Sequence, residues 1–453
     1  MKNKVRILIS ILLVCVCLSG CSSLGFDNSD LMRPPRATGD RAQIQKVIDS
    51  CAGGSYTFKY PQGGEYRSAV IMHDITGDGE EEAVAIYRTS DQDAQTHVIL
   101  IDEIDGKWTL SGDFQNAAPE VSQIVFADLD GDGADEILVG FCPYSSILSS
   151  LAMYTYNGVN AQSVTLDETF TDLAIGDFTG SGQNELVLLS RFSNETAASA
   201  RLMYFSRDKN TLSLRSAVEM DSTVSRFISI NFCKIARDTF GLAVDGQSVD
   251  DNYYTQLIYF DPISSQLQNS LYSAQNENKS MHRRDYSVCR DIDGDSVAEV
   301  PVTQKMPFDT VNEAADLVAS EITYSEYMLP DGRFEEECRF IADPSNGYLF
   351  KIPNEMYGKI TARIDSSAGT LTIYTVNKSS SAVPTPDVKG QMILTLRVFT
   401  PEQWTLNAQS SGYTAVMELN DSILAYAAAD NTGYDLSTAQ IRESIVPTEP
   451  IKN

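Results

Sequence analysis

The sequence predicts a mainly β chain: a β-propeller of five to six blades followed by a small antiparallel α+β domain. Three observations carry that expectation. Strand-like runs of β-branched and aliphatic residues alternate with short polar turns through most of the chain. One acidic, glycine-containing phrase recurs between such runs, and its first three copies begin 54 and 49 residues apart, at Asp74, Asp128 and Asp177. From about residue 346 the phrase disappears while strand-like runs continue. A period of about 50 residues holding roughly four short strands is the content of one propeller blade. A single blade cannot bury both faces of its sheet, so successive blades must pack on one another.

The N-terminus comes first. Lys2, Lys4 and Arg6 precede an apolar run over residues 7–18, which ends in Leu18, Ser19, Gly20 and Cys21. A run that short cannot cross a bilayer core, which needs roughly 20 apolar residues. Residues 1–20 therefore read as a signal peptide. The four residues ending at Cys21 resemble the lipobox of bacterial lipoproteins. That resemblance implies cleavage before Cys21, acylation of its thiol, and an extracytoplasmic chain lipid-anchored to the bacterial cell membrane. The alternative is an ordinary secretory signal with an incidental cysteine. Residues 21–38 are polar and carry Pro34 and Pro35, which suits a flexible tether. No later run is long and apolar enough to span a membrane.

Within residues 39–54, Ile44, Val47, Ile48 and Cys51 stand at helical spacing (i, i+3, i+4, i+7), which predicts a short amphipathic helix packed on the propeller. The propeller is expected over residues 55–340. Its phrase reads Asp74, Thr76, Gly77, Asp78, Gly79, Glu80, Glu82 in the first copy. The second reads Asp128, Asp130, Gly131, Asp132, Gly133, Ala134, Glu136. The third has Asp177, Thr179, Ser181 and Glu185, and the last has Asp291, Asp293, Asp295, Ser296, Val297 and Glu299. From 177 to 291 is 114 residues, about twice the period, so a further blade is expected over residues 232–244, with its strands kept and its acidic loop lost. Runs at 96–101, 151–156, 200–205 and 254–260 supply other strands, and residues 307–320 look helical.

The phrase resembles the FG-GAP, or VCBS, repeat of integrin-alpha-type propellers. It lies here between aliphatic strands, where an EF-hand or dockerin loop would need helices. In that family, side-chain oxygens at loop positions one, three, five and nine, with the carbonyl at seven, surround one Ca²⁺. Hard cations take six to eight oxygens, and glycine lets so short a loop close. The resemblance implies ligands Asp128, Asp130, Asp132, Ala134 (carbonyl) and Glu136, the set richest in carboxylates. It implies Asp291, Asp293, Asp295, Val297 (carbonyl) and Glu299 in the last loop, where Ser296 replaces the usual glycine and strains the turn. The first loop offers Asp74, Thr76, Asp78, Glu80 (carbonyl) and Glu82. The third has only two charges. The family more often has Asp at position nine, so Glu alters the geometry at every site. A metal-free reading also exists: Asp side chains can hold such turns by bonding to backbone N–H groups.

Residues 346–453 are expected to form the α+β domain, with strands at 348–352, 359–364, 370–376, 391–399, 413–419 and 423–427. Ser437 to Gln440 match a capping box that starts a closing helix.

Composition limits function. The net charge is −28, and after the first 20 residues 31 basic residues face 62 acidic ones. Such a surface repels nucleic acid and favours cations. Cys51, Cys142, Cys233, Cys289 and Cys338 follow no CxxC spacing, and both a disulfide and buried free thiols fit them. Three histidines (His73, His97, His282) without HExxH argue against a histidine-rich metal hydrolase, and no G-x-S-x-G or phosphate-binding loop occurs. The expectation is a non-enzymatic binding or scaffold module for an envelope protein or glycan, with structural calcium. The alternative is a polysaccharide-active envelope enzyme with catalytic acids at the propeller mouth.

Overall fold

The computed structural model describes residues 39–90, 94–144, 146–194, 196–270, 283–307, 318–329, 332–377, 389–407, 412–419 and 421–448. The expected signal peptide, Cys21, the expected tether and most of the expected helix at 307–320 lie outside them. Ser320, its last residue, opens a strand. The chain is mainly β, with six antiparallel sheets of four or five strands. Among the described residues no helix is long and apolar enough to cross a membrane.

Two compact units form: one from the segments up to 59, 69–73 and 81–117, the other from 60–68, 74–80 and 118–453. In the first, helix α1 (Asp40–Ala52) precedes a sheet of Tyr56–Phe58, Val70–His73, Glu82–Thr89, Thr96–Ile104 and Lys107–Asn116. The predicted helical stripe is the buried one. Ile44 and Ile48 pack on Ala83, Ala85, Tyr87, Ile99 and Ile101, with Val47 and Cys51 partly buried beside them. Gly53, at φ +59°, ends the helix and donates its N–H to the Asp49 carbonyl. The Asp105–Gly106 turn also has positive φ at both residues (53° and 73°), as a two-residue hairpin requires.

The second unit holds five sheets in chain order. The second sheet contains Glu120–Ala127, Glu136–Cys142, Ser149–Tyr156, Ala161–Ser163 and Thr169–Phe170. The third is a four-stranded meander of Asp172–Gly176, Glu185–Ser190, Ser199–Ser206 and Thr211–Glu219. The fourth is another, of Val224–Ala236, Thr239–Ser248, Tyr253–Asp261 and Gln266–Asn269. Its first two strands cover residues 232–244, so strands occupy the place of the lost acidic loop, joined by a tight turn at Arg237 and Asp238. The fifth sheet runs Val300–Lys305, Ser320–Met328, Arg333–Asp343, Tyr348–Lys351 and finally Ile445–Pro447. The expected boundary at 346 thus falls between two paired strands of one sheet.

The sixth sheet has strands Ile360–Asp365, Thr370–Val376, Lys389–Phe399, Thr414–Leu419 and Ser422–Ala428, each within two residues of a predicted run. Helices α2 (Pro401–Asn407) and α3 (Thr438–Ser444) accompany it. The predicted capping box holds α3: Ser437 Oγ accepts from Gln440 N–H, and the Gln440 side chain accepts from Ser437 N–H at 3.0 Å.

The second, third and fourth sheets share cores. Leu138, Met153 and Phe170 of the second meet Leu186, Leu188 and Met203 of the third. Val187, Leu189 and Leu202 on the third sheet's other face meet Leu242, Val244 and Ile258 of the fourth. Each such side chain, fully buried, contributes about 1.5–3 kcal/mol of transfer free energy. Strands packed on both faces account for the unbroken apolar run Leu186–Leu189, where alternation would mark a half-exposed strand. The five candidate cysteines are free thiols.

Candidate metal centre

Each of the first three acidic loops joins two antiparallel strands, the last is closed by an isolated bridge between Arg290 and Glu299, and the same backbone plan repeats. Position one accepts from the N–H groups of the loop. Asp128 Oδ1 takes Gly131 N–H at 2.6 Å and Oδ2 takes Gly133 N–H at 3.0 Å. Asp74 takes Gly77 and Gly79 at 2.8 and 2.9 Å. Asp177 takes Ser181 and Gly182, and Asp291 takes Gly294 and Ser296. Position five caps the following turn: Asp78, Asp132 and Asp295 each accept the N–H of position seven (Glu80, Ala134, Val297).

The glycines have a conformational cause. At position six, Gly79, Gly133 and Gly182 have φ of 97°, 91° and 81°. Ser296 occupies the same place at φ 74°, a left-handed conformation that costs an L side chain about 1–2 kcal/mol. The strain expected from sequence is therefore present. Gly77 meets a second limit, because a Cβ there would sit 2.1 Å from the carbonyl oxygen of Gly133.

Position nine is Glu, and it is buried in all four copies: Glu82, Glu136, Glu185 and Glu299 are each 5% exposed or less. Glu136 Oε2 accepts from Leu129 N–H and Glu299 Oε2 from Ile292 N–H, both at 2.8 Å. Burial, reinforced by the facing charge of Asp130, pushes the Glu136 carboxyl up to about 8. Burial and Asp293 push Glu299 up to about 7. A buried carboxylate amid others is costly without a cation.

Among the described residues two groups of acidic side chains converge, with ligand atoms within 4.8 Å of one another: Asp291, Asp293, Asp295 and Glu299, and Asp128, Asp130 and Glu136. Both could hold a hard cation, since every donor is a carboxylate oxygen. Asp132 is absent from the second group for a visible reason. Its carboxylate accepts from Arg207, which follows a strand of the third sheet, and Arg207 Nε also stands 3.7 Å from Asp130. The third loop carries its own cation, as Arg215 Nη1 lies 2.8 Å from Glu185 Oε1. The Thr179 hydroxyl donates to the same oxygen, at 2.9 Å. Only the last loop brings four carboxylates together with no arginine or lysine paired to them among the described residues. The sequence ranks the Asp128 loop first because it counts only residues within the loop. Arg207 lies 75 positions from Asp132, and no local signal announces it.

The loops are also linked in series. Asp135 N–H donates to the Ile75 carbonyl at 2.7 Å, the Gln183 amide to the Leu129 carbonyl at 2.6 Å, and Ala298 N–H to the Lys234 carbonyl at 2.8 Å. The first two bonds join a copy to the copy before it, and the third joins the last copy to the first strand of the fourth sheet.

No protein-family model and no curated protein matches the sequence. Solved structures similar to it include Sqt1 of Chaetomium thermophilum, with 9% identity over 83% of this chain and 98% of that one and a TM-score of 0.31. The periplasmic gluconolactonase PpgL of Pseudomonas aeruginosa is 8% identical over 74% of this chain and 88% of its own, also with a TM-score of 0.31. A protein from Lactobacillus plantarum is 8% identical over 73% and 87%, with a TM-score of 0.27. At these values the likenesses carry no functional argument.

Proposed function

We propose that the chain is a lipid-anchored envelope β-propeller of FG-GAP/VCBS type, which acts as a non-enzymatic binding or scaffold module for a protein or glycan. The first five sheets are its blades. The sixth sheet with α2 and α3 is the α+β domain. The observation that carries the propeller is the bonding of the second and third loops to the copy before each and of the last loop to the fourth sheet, combined with cores shared by the second, third and fourth sheets. Calcium joins the reading through the last loop, with Asp291, Asp293, Asp295, Glu299 and the Val297 carbonyl as ligands, and through the Asp128 loop in competition with Arg207. The ion neutralises buried carboxylates and stiffens the link between strands. It leaves chemistry to no one.

Binding is favoured over hydrolysis because the carboxylates that converge in groups of three or more among the described residues belong to these loops. A glycosidase needs its paired acids free in a cleft. The test is an affinity capture with the soluble form starting at Ser22, against envelope proteins and polysaccharides of the source cell. Stoichiometric retention of one partner, unchanged in mass, supports the reading. Cleavage of a captured polysaccharide overturns it in favour of the enzyme. The anchor is tested apart from this. Cys21→Ala abolishes fatty-acid labelling if Cys21 carries the lipid, and labelling that persists removes it.

A further inference from the structure

A cavity of about 370 Å³ opens between the fourth and fifth sheets. Its wall is built from residues 228–231 of the fourth sheet's first strand, the segment 286–290, and Ile322, Tyr324 and Leu349 of the fifth sheet. None of its lining residues is acidic. One is Arg290, and no carboxylate pairs with it among the described residues. Its guanidinium shares a hydrogen bond with Tyr324, a neutral partner, and its Nε is buried without an acceptor. Ser287, 5% exposed, has a hydroxyl that is likewise buried without a partner. Neither atom is open to the cavity, so the recognition element this wall offers is the charge of the Arg290 guanidinium.

The segment bearing both residues is held rigidly from behind. Arg283, wholly buried, pairs with Asp245 at 2.7 Å and donates twice to the Ser287 carbonyl, at 3.1 and 2.6 Å. Asp245 also accepts the Cys289 N–H at 2.8 Å. The Arg283 charge is thus cancelled and the Arg290 charge is not. In a chain of net charge −28, this cavity carries one uncompensated positive group.

We propose that the cavity binds a small hydroxylated organic carboxylate. The carboxylate lies on the Arg290 guanidinium, whose planar fork matches two oxygens of one group. Hydroxyls of the ligand meet Ser229 and Asn231, which bond one another at 2.7 Å at the rim. Its carbon face rests on Ile228, a half-buried residue of the same wall. One guanidinium with no lysine beside it suits a monoanion better than a phosphate dianion. The volume is in the range of small-ligand sites, which begin at about 300 Å³. This site is separate from the acidic loops and stands whatever partner the exterior binds.

Calorimetric titration of the soluble form with D-glucuronate and D-gluconate, against D-glucose and inorganic phosphate, tests it. A sugar acid is expected to bind about tenfold or more tightly than glucose, the worth of one charged hydrogen-bonded contact. Arg290→Gln is expected to remove that preference, while Arg284→Gln, an exposed neighbour, leaves it. If Arg290→Gln does not fold, Ser229→Tyr, which fills the cavity from a half-buried strand position, must abolish sugar-acid binding. Absence of binding by both sugar acids, equal affinity for glucose, preference for phosphate, or binding indifferent to these substitutions overturns the proposal.

Discussion

The guanidinium of Arg207 donates to the carboxylate of Asp132, so a side chain of the third sheet lies where the second loop would draw Asp132 onto a metal. The Arg207 side chain is 52% exposed, and a pair so open is worth about 1 kcal/mol or less. A cation held more tightly than that would displace it. Arg207→Ala is expected to lower the melting temperature slightly in chelator and to enlarge the rise that calcium produces. An unchanged calcium response would mean the Asp128 loop takes no ion.

The last loop has no such competitor. A ligand at 100 times its Kd stabilises by about 2.7 kcal/mol. Asp293→Ala and Asp295→Ala should therefore each abolish most of the calcium-dependent rise in melting temperature. Asp177→Ala should change it little, because Arg215 already neutralises Glu185 in that loop. Identical melting curves in calcium and chelator for the unaltered protein would sink the metal assignment and leave the sheets untouched.

Ser296 is the one position-six residue held at positive φ without being glycine. Ser296→Gly relieves about 1 kcal/mol of backbone strain and should raise the melting temperature in chelator and in calcium alike. A fall would show that the serine side chain holds the loop.

Two carboxyls set a pH dependence. The folded values of Glu136 and Glu299, about 8 and 7, lie above the unfolded value near 4.3. Between pH 5 and 8 the folded state then binds more protons than the unfolded one, so stability is lost as pH rises through that window. In chelator the melting temperature should fall by a few degrees from pH 5 to pH 8. Glu136→Gln should flatten that slope, and a slope unaltered by it would exonerate Glu136.

Arg283 and Asp245 form a pair 0% and 2% exposed, with Thr255 Oγ1 bonded to both. Removing one member strands the other's charge in the interior, a loss of about 3–5 kcal/mol. Asp245→Asn should produce it as a drop in denaturant midpoint. The double variant Asp245→Asn with Arg283→Met should recover part of the loss, and no recovery would argue against the pair as the cause.

Much of this architecture is legible in the sequence because its causes are local. The α1 stripe, the Ser437 cap, the Asp105–Gly106 turn and the sixth-sheet strands follow from propensity and spacing within a dozen residues. The strand pair at 232–244 is legible from period alone, since its aliphatic strands survive the loss of the loop. What the sequence conceals are the partners supplied from afar. Arg207, Arg215 and Arg283 reach carboxylates 30 to 75 positions away in the chain. Only folding brings them together, and they change which loop keeps its charge. Tyr348–Lys351 also read as the start of a new domain, because pairing with Arg333–Asp343 across a turn leaves no mark on composition.

The strand Ile445–Pro447 bears on how the chain comes to be folded. Tyr348 pairs with Pro447, 99 positions later (348 to 447), and the whole sixth sheet lies between them. Closing so long an excursion is slow compared with forming a hairpin, because the chain must find its own distant end. During synthesis from the N-terminus, the fifth sheet keeps an open edge at Tyr348–Lys351 until residue 447 has appeared. An open edge is a template for foreign strands. Chains lacking residues 445–447 would therefore be the aggregating ones, and this one short strand acts as a latch on the sheet before it.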